Sequence, residues 1–173
     1  MGQLDGKVAI VTGGGSGIGK GIAKAFANEG CSVVIAARSA DRLDAAVSEL
    51  SKNGAKIVSI PTDVTDEAQV VSLFANTMNR FGRLDILVNN SGAFDGGPVE
   101  DLTMEQWHRV IQVNVTGPFL GSREAFKIMK KQGGGRIINV GSIAAQKPRH
   151  SSSPYTTSKH AVWGLTQSLA LEG

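Results

Sequence analysis

Tyr155 and Lys159 stand four residues apart, a spacing that puts a phenol and an amine on one face of a helix. Both groups can give and take protons in a reaction. Alone the pair means little, because such spacings arise by chance everywhere. Ser142 lies at the end of the apolar run Ile137-Ile138-Asn139-Val140. If that run is a strand of an open α/β sheet, Ser142 sits at its carboxyl end, where ligands of such sheets bind. A serine at a strand end also serves to cap the loop that follows, and both readings stand at this level.

Near the other end of the chain, Thr12-Gly13-Gly14-Gly15-Ser16-Gly17-Ile18-Gly19 follows the apolar run Val8–Val11 and opens into a helical pattern. A strand, a glycine loop and a helix in this order suit a pyrophosphate. Gly13 permits the turn, Gly17 lets the backbone come within hydrogen-bond reach, and Gly19 lets the helix pack closely. The spacing is G-x-x-x-G-x-G, and a glycine loop by itself is also what a tight turn uses. A carboxylate at the end of the second strand would hold the ribose hydroxyl of NAD and repel the extra phosphate of NADP. None is present. Arg38 and Ser39 stand there instead, a fork and a hydroxyl suited to a phosphate, so NADP(H) is expected over NAD(H).

These residues need a scaffold, and the hydrophobic pattern supplies one. Val8–Val11, Val33–Ile35, Ile57–Ile60, Ile86–Val88 and Ile137–Val140 are short, apolar apart from Ser59 and Asn139, and rich in β-branched residues. Strands without alternation are buried on both faces, which points to a parallel sheet covered by helices. Helical spacing intervenes at Ile18, Ile22, Ala25 and Phe26, at Leu43, Ala46, Val47 and Leu50, and at Ala68, Val71, Phe74, Ala75 and Met78. Asp41, Thr65 or Asp66, and Thr103 are expected N-caps, with Gly30, Gly54 and Gly82 as C-terminal stops. Alternating strands and helices predict right-handed crossovers and a doubly wound α/β sheet, with a last helix from about 154 to 171.

Composition excludes other classes. The 173 residues are 41% hydrophobic and 19% charged with a mean hydropathy of −0.03, the balance of one globular domain. No apolar run approaches the roughly 20 residues needed to span a bilayer, and no secretion signal opens the chain. Cys31 is the lone cysteine, consistent with a reducing, cytoplasmic setting. The net charge of +3 is dispersed, and no basic run exceeds Lys130-Lys131, so neither nucleic acid nor a membrane is expected as partner. Cys31, His108, His150 and His160 do not make a metal site by spacing.

With Asp63-Val64 after the third run, Asn89-Asn90-Ser91-Gly92 after the fourth, and Asn114, the chain resembles the classical short-chain dehydrogenase/reductase family, its bacterial 3-oxoacyl-carrier-protein reductase-like members in particular. Thr12–Gly19, Asn89–Gly92, Asn114, Ser142, Tyr155 and Lys159 carry the likeness in the family's order. Ser91 departs from the usual alanine. The resemblance implies a Rossmann fold and an oxidoreductase that interconverts a ketone and a secondary alcohol by hydride transfer. It implies Tyr155 as general acid or base, Lys159 as its cationic neighbour and ribose ligand, Ser142 on the substrate oxygen, and Asn114 holding a relay water. A free phenol titrates near pKa 10, so a nearby ammonium is the help it needs at neutral pH. By the same likeness Gly13, Ser16, Gly17, Ile18, Gly19, Arg38, Ser39, Asp63, Val64, Asn90, Gly92, Tyr155 and Lys159 would bind the cofactor, and a homo-oligomer would form through the helices near 104–132 and 154–171.

Measured against that family, residues 1–173 form one NAD(P)-binding domain without the sixth strand, the substrate-covering segment and the seventh strand. The chain is therefore expected to be a shortened version of a longer enzyme, with its fifth strand as an open edge. A second reading keeps the fold without the chemistry: a catalytically silent dinucleotide-binding or scaffolding protein. The substrate class expected of the enzyme is a small carbonyl compound or alcohol.

Overall fold

The computed structural model describes residues 2–51 and 54–173. The five apolar runs are strands β1 (Val8–Thr12), β2 (Ser32–Ala37), β3 (Ile57–Pro61), β4 (Ile86–Asn89) and β5 (Arg136–Asn139). All pair in parallel, in the order β3-β2-β1-β4-β5. The helices are α1 (Gly17–Asn28), α2 (Ala40–Leu50), α3 (Glu67–Phe81), α4 (Met104–Ile111), α5 (Gly117–Gln132) and α6 (Ser153–Glu172). The chain leaves β1 towards β2 and β3 on one side, then returns across the sheet to place β4 against β1. This reversal leaves a crevice beyond the carboxyl ends of β1 and β4, the place where such sheets hold ligands.

The absence of alternation in the strands is explained by two cores. Ala9, Val11, Val33 and Ile35 point to one face and pack with Ala23, Leu43 and Ala46 from α1 and α2. Ile10, Val34, Ala36 and Leu87 point to the other, against Val70, Leu73, Phe74, Leu120 and Met129 from α3 and α5. Each valine, leucine, isoleucine, phenylalanine or methionine among them contributes about 1.5–3 kcal/mol when fully removed from water, and each alanine less. At the sheet margin β5 is more open, with Ile138 40% exposed.

Capping agrees with the pattern at two helices and corrects it at a third. Asp66 caps α3 by accepting from the Gln69 N–H, and Gly82 ends that helix with φ +72°. Thr103 and Gln106 form a reciprocal capping box on α4. Asp41 does not cap α2. Ser39 does, its Oγ accepting from the Arg42 N–H at 3.4 Å, so the helix starts at Ala40 and Asp41 lies in its first turn. The earlier start brings the N-terminus of α2 to the mouth of the crevice, beside Arg38.

The stretch 104–132, expected to carry helices of a homo-oligomer contact, is not one continuous α-helix. A π-helical turn over Gln112–Thr116 separates α4 from α5, and Pro118 stands in the first turn of α5. Widened turns of this kind recur at functional sites, and this one holds Asn114 inward, 1% exposed.

At the opposite end of the sheet, Asp85 joins β1 to the turn before β4. It accepts from the Val8 N–H at 2.9 Å and from Arg83 Nε and Nη2 at 2.8 and 2.6 Å, with Lys7 Nζ at 3.4 Å. Burial raises its pKa, but the Arg83 hydrogen bonds, the Val8 N–H and the two cationic charges outweigh that and hold it below the ordinary carboxylate value. A lowered folded-state pKa adds stability that is complete above the unfolded value, about 4, and is lost as the pH falls through the folded value. Asp85→Asn is expected to cost about 1–3 kcal/mol at neutral pH and to flatten the acid limb of the stability curve. Urea unfolding at pH 7 and below pH 4 checks this; an equal difference between wild type and variant at both pH values would refute it.

Candidate active site

The carboxyl end of β1 is organised by Thr12. Its Oγ1 donates to the Val88 carbonyl and accepts the N–H groups of Asn90 and Ser91 at 3.0 Å, locking the loop after β4 to the glycine loop. Asn90 returns the contact, donating from Nδ2 to the Thr12 carbonyl at 2.9 Å. Asn90 thus acts as a brace for the loop. Thr12 carried no role in the sequence reading, although it opens the glycine motif.

The glycines fit a bound pyrophosphate. Gly13 has φ +67°, and a Cβ there would stand 2.7 Å from Asn90 Nδ2. At Gly19 a Cβ would collide with the Gly13 carbonyl oxygen at 2.3 Å, because α1 packs directly under the turn. Gly17 has φ +52° and faces open space, and Ser16 occupies the N-cap position of α1 without its side chain bonding the helix. The free N–H groups at this helix start can therefore receive an anion. Ile18 is 69% exposed beside them. Gly19→Ala is expected to weaken dinucleotide binding at least about tenfold, since backbone cannot yield as a flexible side chain can. Fluorescence titration with NADPH checks it, and unaltered affinity would count against this cradle.

A cleft of about 640 Å³ runs from the glycine loop across the ends of β2, β3 and β4. Gly13, Ser16, Arg38, Ser39, Asp63, Val64 and Gly92 all line it. Gly17, Ile18, Gly19, Asn90, Tyr155 and Lys159 do not line it. The donor set suits a dinucleotide: backbone N–H groups at one end, two guanidinium groups at the other. The second of these, Arg42, has no part in the sequence motifs, nor do Arg109 from α4 and Val113 from the π-helical turn that follows it. Arg42 lies close in sequence to Arg38, in the first turn of the helix that Ser39 caps, whereas Arg109 lies far off. Asp63 also serves its own loop, its Oδ1 accepting from the Thr65 N–H and Oγ1.

Four groups gather beyond β4 and β5. Lys159 is 7% exposed, donates to the Val140 carbonyl at 2.9 Å, and holds its Nζ 5.7 Å from the centre of the Tyr155 ring. Burial pushes the Lys159 pKa below its ordinary value. Ser142 caps a short 3₁₀ turn, Ile143–Ala145, by accepting from the Ala144 N–H at 3.2 Å. That contact uses a lone pair of Oγ and leaves its O–H free to donate. Ser142 and Lys159 face one cavity of about 390 Å³, together with Ile143 and Trp163. Asn114 is fixed by Ala93, accepting from its N–H at 2.7 Å and donating to its carbonyl at 2.9 Å, and it also donates to Ser158 Oγ. Ser158 in turn donates to the Tyr155 carbonyl at 2.7 Å. Asn114 therefore reaches the Tyr155 turn of α6 through Ser158, with its amide committed to protein groups. No cluster of His, Cys, Asp or Glu suited to a metal occurs among the described residues.

The position of α6 is set by asparagines at the strand ends. Asn89 Nδ2 donates to Asn139 Oδ1 at 2.9 Å, and Asn139 Nδ2 donates to Thr166 Oγ1 at 2.9 Å, tying β4, β5 and α6 in sequence.

Known proteins share this arrangement. Residues 7–173 match the short chain dehydrogenase family. An uncharacterized oxidoreductase, YxjF, of Bacillus subtilis is 42% identical over 167 residues, covering 96% of this chain and 65% of its own length. Glucose 1-dehydrogenase 2 of the same organism is 41% identical over 173 residues, covering 98% of this chain and 67% of its own. A crystal structure of an actinorhodin polyketide ketoreductase variant with NADPH superposes with a TM-score of 0.95 at 36% identity, over 99% of this chain and 67% of that one. The chain thus spans about two thirds of the proteins it matches. A parallel sheet ordered 3-2-1-4-5, a glycine cradle under its first crossover, and similarity along nearly the whole chain agree: the protein belongs to the short chain dehydrogenase family of oxidoreductases.

Proposed function

We propose that this domain serves an NADP(H)-dependent oxidoreductase that interconverts a ketone and a secondary alcohol, with Tyr155 as the general acid or base. The observation that carries the reading is the Tyr155–Lys159 pair, a phenol with a buried ammonium 5.7 Å from its ring, on a helix anchored to the strand ends beside the dinucleotide cleft. Hydride exchange with the substrate carbon is the chemistry a bound nicotinamide supplies.

The side chains supply the rest. Arg38, Arg42 and Ser39 would hold the phosphate of the adenosine ribose, Asp63 and Val64 would flank the adenine, and Gly92 would line the path towards the reacting end. Ser142 donates its free O–H to the substrate oxygen and orients the carbonyl. Tyr155 gives its proton to that oxygen during reduction and takes it back during oxidation. The Lys159 charge favours negative charge on the phenol oxygen while the proton is away, and its burial makes the ammonium a better proton donor than a solvated lysine. Asn114 acts through Ser158, fixing the turn of α6 from which Tyr155 projects.

The setting proposed is cytoplasmic and reducing. Cys31 is buried, and desolvation, aided by the charge of Asp85, pushes its thiol up to about 12, so it stays protonated and unreactive. Among the described residues no helix is long and apolar enough to cross a membrane. The partner proposed is a second copy of the chain, through α4, α5 and α6, where Met104, Phe119 and Trp163 are 64%, 49% and 46% exposed.

The test is NADPH and NADH oxidation over a panel of small ketones. Consumption of NADPH with a ketone supports the reading. Tight NADPH binding with no turnover of any ketone would support the catalytically silent alternative.

A further inference from the structure

Phe94 is 65% exposed, yet it does not belong to a loose loop. The next residue, Asp95, has a side chain only 12% exposed and pairs with Arg109 from α4. Its Oδ1 accepts from the Gly96 N–H and from Gln106 Nε2, both at 3.1 Å. Gly97 donates to the Ser151 carbonyl at 3.0 Å, and a Cβ on Gly96 would run into that same carbonyl. Ser151 itself has φ +55°, a conformation costly for any residue with a side chain. The loop after β4 is therefore clamped on one side to α4 and on the other to the turn leading into α6.

What the clamp presents is an aromatic ring held against Tyr155. The two ring centres are 5.3 Å apart with planes at 62°, an edge-to-face pair. A ring on a clamped backbone, in edge contact with the phenol proposed to transfer the proton, stands where a substrate engaged by that phenol would meet it.

We propose that Phe94 is the specificity-determining wall of the site, selecting carbonyl substrates with a flat, aromatic group next to the carbonyl carbon, and that Asp95, held by Arg109 and Gln106, is its positioning residue. The inference rests on the proposed function, because only a substrate engaged by Tyr155 is brought against this ring. Stacking of two rings adds about 0.5–1.5 kcal/mol to what area burial gives, which corresponds to roughly two- to tenfold in affinity.

The experiment measures binding without reaction. Acetophenone and cyclohexyl methyl ketone are titrated by NMR into the full chain with NADP+, a pairing in which ketone and oxidised cofactor cannot exchange hydride. Wild type is expected to prefer the aryl ketone. Phe94→Ala is expected to reduce that preference at least about threefold while leaving the NADP+ affinity unaltered, since Phe94 does not line the dinucleotide cleft, and Asp95→Asn is expected to reduce the preference as well. Phe94→Leu, which keeps apolar bulk, should restore folding and affinity for the alicyclic ketone but not the preference. Equal weakening of both ketones in Phe94→Ala would make the ring a mere prop for Tyr155 and overturn the proposal, as would no aryl preference in wild type, or no binding of either ketone. The proposed function is read separately, from turnover in Tyr155→Phe: undiminished turnover there overturns that function whatever Phe94 does.

Discussion

Tyr155→Phe is expected to lower kcat/KM for ketone reduction by about 10²–10⁴-fold, the range lost with a positioned general acid, while NADPH affinity changes by less than about threefold. The substitution removes one oxygen and little else. The ring keeps its edge contact with Phe94 and its place over Lys159, because both involve the ring and not the hydroxyl. The ammonium keeps its bond to the Val140 carbonyl, and Ser158 keeps its bond to the backbone carbonyl of residue 155. The cleft for the dinucleotide is lined by other residues altogether. A loss confined to kcat therefore reports the proton, whereas a parallel loss of NADPH affinity would report a disturbed site. Steady-state kinetics with a fluorescence titration separates the two, and turnover equal to wild type would remove Tyr155 from its role.

The double-sided burial of the strands and the glycine turn were legible in the chain because each is local. Val8–Val11 reads as a strand with no polar face since both faces meet helices, and Gly13 and Gly19 stand where backbones approach too closely for a Cβ. Contacts made across long stretches of sequence were not legible. Thr12 reaches Asn90, Asn114 reaches Ser158, and the Asp95 clamp gathers residues from the loop and α4. None of these leaves a periodic trace, and Asp95 in a loop is by composition only a turn residue. The cap of α2 lies two residues before Asp41, although Asp41 and Ser39 are both good caps by residue type. Backbone geometry decided between them, with Ser39 extended and its hydroxyl turned to the Arg42 N–H. The π-helical turn that carries Asn114 leaves no trace in the sequence either, since Gln112–Thr116 differs from an α-helical turn only in the span of its hydrogen bonds.

Replacing both Arg38 and Arg42 by Ala is expected to raise the dissociation constant of NADPH by about 10²-fold or more, and that of NADH by less than about threefold. The two side chains line the same end of the cleft, beside Ser39 and the N-terminus of α2, and neither forms a salt bridge among the described residues. The end of β2 bears no acid that would grip a ribose hydroxyl, so the extra phosphate is what this end is equipped to hold. A hydrogen bond to a charged group contributes about 1.5–3 kcal/mol, and two guanidinium groups on one phosphate do not add fully because they share its charge. Both side chains are exposed, so the effect should shrink as salt rises, since charges at the surface are screened within roughly 10 Å at 0.1 M. Titration of both cofactors at low and high ionic strength checks this. Arg38→Asp carries the argument further, because a carboxylate there repels the phosphate and accepts from the ribose hydroxyl, so the preference should pass to NADH. If either variant weakens the two cofactors alike, these arginines serve the shape of the cleft and not the choice of dinucleotide.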